Sequence, residues 1–167
     1  MTKKSYVIEN GLTAGIVGLA AVVVVAVGLP HWAHAPKDTS PISLPQTLSG
    51  GLAKQSGANG LDTQTQALTS ALGVGGSAAS YVSADQQHFI FVQAVRTGGA
   101  ALLPLIAGTA SKVGDDVCIN TQYATQTQAL PIYTCRRTGS EMTVQVTATT
   151  DAATAAKYAD EVWKDLN

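Results

Sequence analysis

Charge is what this 167-residue chain has least of. Only 13% of its residues are Asp, Glu, Lys or Arg, ten positive against eleven negative, and the net charge is −1. A nucleic-acid binder neutralises phosphates with a basic face, and no such footprint is written here, so DNA or RNA is not expected as a partner. Cysteine is almost absent too. Cys118 and Cys135 lie too far apart for the Cys-x-x-Cys of a thioredoxin-like redox site, and two sulfurs alone do not make a structural zinc centre. The three histidines leave little for metal or acid–base chemistry. His31 and His34 stand at an i, i+3 spacing with Asp38 the nearby carboxylate, short of the third or fourth ligand that a metal site wants. His88 begins an apolar segment with no nucleophile motif beside it and reads as a strand-end histidine; an enzyme would need it beside a carboxylate or serine in a cleft.

Two sequence signatures of chemistry are also missing. No Gly-x-Ser-x-Gly elbow occurs, and Gly73-Val74-Gly75-Gly76 has neither the Gly-Lys-Ser/Thr ending of a phosphate loop nor the dinucleotide-binding spacing. No catalytic residue, metal ligand or cofactor is therefore assigned, and the chain reads as non-enzymatic.

What is present begins with Gly11 to Leu29, a run without a charged side chain and with one hydroxyl, Thr13. As a helix it reaches about 28 Å, close to the roughly 30 Å hydrocarbon core of a bilayer. Backbone groups in lipid must be satisfied internally, so a lone span has to be helical. Lys3 and Lys4 precede the run and Trp32 follows it, which places residues 1–10 in the cytoplasm, 11–29 across the membrane and the rest outside. Ala33-His34-Ala35 imitates a signal-peptidase site. The length of the apolar run and Pro36 just after the would-be cut favour a retained anchor over cleavage after Ala35. Gly11 and Gly15, with Gly18 extending the small-residue spacing, are the candidate packing positions of a helix-mediated homodimer.

Residues 30–60 are rich in proline and glycine and poor in large apolar groups, which predicts an extracytoplasmic stalk. Ile42, Leu44, Leu48 and Leu52 offer a second possibility, an arm packed on the following domain. Residues 61–167 then suffice for one domain with one core. Leu61 to Leu72 has the spacing of a short amphipathic helix capped by Asp62. Ala79 to Ala84 and His88 to Arg96 read as a hairpin, the second strand apolar on both faces and so central. Ala100 to Ala110 reads as a buried helix too short to cross a bilayer.

Asp116 to Gln122, Leu130 to Arg137 and Glu141 to Thr149 supply three more strands, and Asp151 caps a final helix with an apolar stripe at Ala155, Tyr158, Ala159, Val162 and Leu166. In the last strand Met142, Val144, Val146 and Ala148 alternate with Thr143, Gln145, Thr147 and Thr149, predicting one dry and one wet face. Val117 and Ile119 are expected inward and Cys118 on the opposite face. The fold class is thus α+β: an N-terminal transmembrane helix, a stalk, then an antiparallel sheet of about five strands with helices on one face.

An oxidising compartment lets Cys118 and Cys135, on neighbouring strands, form a disulfide. The candidate partner contacts are Arg136 and Arg137, a pair of positive charges at a strand end, and the polar face of Thr143, Gln145 and Thr147. The order of anchor, a segment entered at Leu44-Pro45, a Gly50-Gly51-Leu52 turn, and a small domain with Cys118 and Cys135 ahead of a C-terminal helix resembles small signal-anchored envelope proteins of high-GC Gram-positive bacteria. That resemblance implies location and fold, and no activity. The expected function is a single-pass membrane protein whose outer domain meets another envelope or membrane protein, as an accessory subunit of a complex. Membrane lipid is its other partner. The alternative is an outer domain that binds a small molecule or cell-wall fragment through the Thr143, Gln145, Thr147, Thr149 face.

Overall fold

The computed structural model describes residues 38–55, 63, 66–67, 69–70, 73–96, 109–124 and 129–167. Their centre is an eight-stranded, wholly antiparallel sheet. The strands are β1 (Thr47–Leu48), β2 (Leu52–Lys54), β3 (Gly76–Val82), β4 (Phe89–Val95), β5 (Thr109–Val113), β6 (Asp116–Ala124), β7 (Ala129–Thr138) and β8 (Thr143–Ala148). They lie in the order β1-β2-β3-β4-β8-β7-β6-β5. One helix, α1 (Ala152–Leu166), follows and packs on β6, β7 and β8.

This corrects the expected sheet of about five strands with several helices on one face. Two of the additional strands come from the region expected to be a stalk. Gly50 and Gly51 have φ of 79° and 76°, conformations that a side chain resists, so together they turn the chain sharply between β1 and β2. Glycine here makes a hairpin and not a loose tether. Leu44, Leu48 and Leu52 are then 1%, 4% and 2% exposed in the same core as α1, so residues 38–55 form an arm. Polar contacts tie the arm down as well. Tyr81 Oη donates to Pro45 O at 2.7 Å, Tyr158 Oη to Ser49 O at 3.0 Å, and Ser49 N–H to Glu161 Oε1 at 2.7 Å.

The third additional strand, β5, takes Thr109 and Ala110 from the end of the expected 100–110 helix; residues 100–108 lie outside the described ones. Gly114, at φ 60°, turns β5 into β6. Within 61–72 the described positions 63, 66–67 and 69–70 are helical. The expected transmembrane segment 11–29, with Gly11, Gly15 and Gly18, lies outside the described residues. Among those described, no helix is long and apolar enough to cross a membrane.

The core lies between the sheet and α1. Asp151 caps the helix by accepting from Thr154 N–H at 2.7 Å, and this bond, first among its causes, holds the carboxyl below its ordinary range. Ala155, Ala156 and Ala159 let α1 approach closely over Val144, Val146 and Cys135. β4 supplies Ile90, Val92 and Ala94 to this side and Phe91, Gln93 and Val95 to the other, all buried, as its unbroken apolar run implies.

Candidate functional site

Register decides which residues can share a site. Cys118 lies opposite Cys135, and the sulfurs are at bonding distance, 2.12 Å. Because Cys135 lies opposite Val146, both sulfurs face α1 and are 1% and 0% exposed. The expectation for this strand is therefore reversed: Cys118 points into the core, while Val117 and Ile119 belong to the outer face, the face away from α1. The reason is that both faces hold buried residues. Ile119 is 4% exposed on the outer face, so an apolar side chain no longer identifies the α1 side.

Arg136 and Arg137 are consecutive on β7 and so point to opposite faces. They do not form one cationic patch. Arg137 faces α1, where it pairs with Asp160 and, at 3.1 Å, with Asp115, and lies 5.4 Å from the centre of the Trp163 ring. Arg136 is half-buried on the outer face, and burial lowers its basicity. The register Val117↔Arg136↔Gln145↔Gln93 sets these four side chains on one rung of that face.

The expected wet face of β8 is wet only in part: Gln145, Thr147 and Thr149 are half-buried, and Thr143 is buried. Thr143 is 1% exposed, and Thr147 shares a hydroxyl hydrogen bond of 3.2 Å with Thr134 across the strands. Gln145 differs, since its buried Oε1 has no hydrogen-bond partner among the described residues. Beside it on the rung, Val117 is 38% exposed, the one large apolar side chain in that state among the described residues. Arg136, Gln145 and Val117 thus come together, Thr143 and Thr147 stay structural, and Arg137 belongs elsewhere.

That other place is a carboxylate cluster under α1, which sequence reasoning missed. Asp116 is wholly buried with neither oxygen hydrogen-bonded among the described residues. Burial, then the negative charges of Asp160 on α1 and Asp115 in the β5–β6 turn, push its carboxyl up to about 6, against the opposing pull of Arg137 on β7. A group with that pKa suits proton transfer, but Asp116 is sealed from solvent and so reaches no dissolved substrate. The adjacent acids Asp115-Asp116 were visible in the sequence; their meeting with Arg137 and Asp160 required the register.

His88 stands at an exposed turn with Ser83 and Asp85. Ser83 Oγ donates to Asp85 Oδ1 and accepts from the His88 backbone N–H at 3.0 Å. These bonds close the β3–β4 turn, and none involves the imidazole. Among the described residues, no group of three or more His, Cys, Asp or Glu is arranged to hold a metal ion. No known protein-family model, curated protein or solved structure matches this chain.

Proposed function

We propose that this chain is a non-enzymatic, single-pass membrane protein, held through its apolar 11–29 segment, whose extracytoplasmic domain binds another envelope or membrane protein. In this reading the outer-face rung of Val117, Arg136 and Gln145 is the contact. One observation carries it: Val117, exposed on the outer face, sits on one rung with the half-buried side chains of Arg136 and Gln145. A partner that sets an apolar side chain against Val117 and an acidic group at the rim of this rung fits that set.

The test uses the full chain, extracted from its native membranes in mild detergent, with mass spectrometry of what co-purifies. A protein retained by the parent chain and lost from Val117→Asp and Arg136→Glu supports the reading. Retention by both variants refutes this contact. A solitary protein that is instead thermally stabilised by cell-wall glycan fragments overturns the proposal in favour of ligand binding.

A further inference from the structure

The sheet ends unequally. Among the described residues, one margin is β1, two residues long, and the other is β5, five residues long, with Thr109, Ala110, Ser111 and Lys112 all exposed. A long open edge presents unpaired N–H and C=O groups, and which residues present them follows from the ladder. Arg96 N–H donates to Gly75 O and Ser83 N–H to His88 O, so in β4 the residues Ile90, Val92 and Ala94 turn their backbone groups toward β3. Carried across the registers of β8, β7 and β6, this alternation turns Thr109, Ser111 and Val113 toward β6, and Ala110 and Lys112 outward.

We propose that β5 is a self-complementary edge on which a second copy of this chain adds antiparallel about Ser111, continuing the sheet across a two-fold axis. In that register Ala110 of each copy faces Lys112 of the other, so both outward N–H groups and both outward C=O groups of each strand find partners. Ser111 meets its own counterpart, and Thr109 meets Val113, a pair of β-branched side chains. Charge selects the same arrangement. Centring the pairing on Lys112 sets lysine against lysine, and centring it on Ala110 leaves Lys112 opposite residue 108, beyond β5; only the Ser111 centre uses every outward group and gives each lysine a small neutral neighbour. The edge adjoins the Val117, Arg136 and Gln145 contact, since Lys112 lies opposite Val117, but the pairing uses the backbone groups of β5 alone and so does not rest on that reading.

The test is cross-linking of the full chain in native membranes with a mild oxidant, read on non-reducing gels. Across a non-hydrogen-bonded antiparallel pair, Cα atoms lie about 4.5 Å apart, within the usual range of a disulfide. Ser111→Cys should therefore link two copies. Thr109→Cys should not, because the two equivalent positions are about 13 Å apart at 3.3 Å per residue. Ser111 lies opposite Cys118, so a thiol introduced there can exchange with the Cys118–Cys135 disulfide; peptide mapping of the linked species must therefore show the two introduced sulfurs joined to each other and Cys118 still joined to Cys135. In the Ser111→Cys background, Ala110→Lys should abolish the link and Ala110→Glu should strengthen it, by facing Lys112 with a like or an opposite charge. Both positions are exposed, and an unchanged thermal transition confirms the fold. No link at Ser111→Cys, equal links at Ser111→Cys and Thr109→Cys, or indifference to Ala110→Lys each overturns the proposal. A dimer held only through Gly11 and Gly15 would give the first of these.

Discussion

Replacing Asp116 with asparagine should change how stability depends on pH more than it changes stability itself. In the folded chain the carboxyl is wholly buried, lacks a hydrogen-bond partner among the described residues, and faces Asp160 and Asp115, with Arg137 as the one opposing charge, so its pKa is raised from the ordinary 3.8 to about 6. A raised folded-state pKa means that the folded chain holds the proton more tightly than the unfolded chain does. That contribution to stability is full below pH 3.8 and is lost as pH rises through about 6. The interval corresponds to about 3 kcal/mol at 1.36 kcal/mol per pH unit. Asparagine has the same shape and does not titrate. Urea unfolding of the full chain and of Asp116→Asn, in the same detergent from pH 3.5 to 8, should therefore give curves that diverge. The advantage of the variant over the parent should grow by about 3 kcal/mol, mostly between pH 4 and 6. Parallel curves, or a parent that gains on the variant as pH rises, would refute the reasoning.

Arg137→Gln removes the cation that lowers the Asp116 pKa, so the Asp116 carboxyl should titrate at still higher pH by carbon-13 NMR. The same change unties α1 from β7 at Asp160 and should cost about 2 kcal/mol at pH 7 in urea melts. Leu44→Ala opens a hole in the core and should cost about 3 kcal/mol; a stalk residue would cost nothing measurable. Replacing Cys118 and Cys135 together with alanine releases a loop spanning 17 positions and should cost about 3 kcal/mol, while alkylating reagents should leave the parent unmodified even when it is unfolded, unless a reductant is added first, because both sulfurs are held in the disulfide.

Much of the local structure was legible. The spacing of Ala155, Tyr158, Ala159 and Val162 behind Asp151 marks α1, because a cap and a 3.6-residue period depend only on neighbours. The runs around Phe91, Tyr133 and Val146 mark β4, β7 and β8 for the same reason. Pro41, Pro45, Gly50 and Gly51 have the composition of a linker and favour a stalk, whereas the second possibility, an arm packed through Ile42, Leu44, Leu48 and Leu52, is the one found. Nothing in composition tells whether Leu44 finds a core or water, and that depended on α1 arriving over the arm from more than a hundred residues away. β5 was misread because five mostly polar residues at a margin carry no alternation of buried and exposed positions.

The candidate contacts separated along the same line. Period-two geometry determines that Arg136 and Arg137 part company, but which of them meets Asp160 depends on the pairing of Cys135 with Val146. The sequence by itself determined the elements that local dihedral preference and periodicity can specify: the final helix and the inner strands. Only the tertiary structure decided which face each strand residue occupies, that a proline- and glycine-rich segment is an arm, and that Asp116 lies buried among charges. Those outcomes rest on inter-strand register and burial, which couple residues far apart in the chain and leave no mark on any one stretch of it.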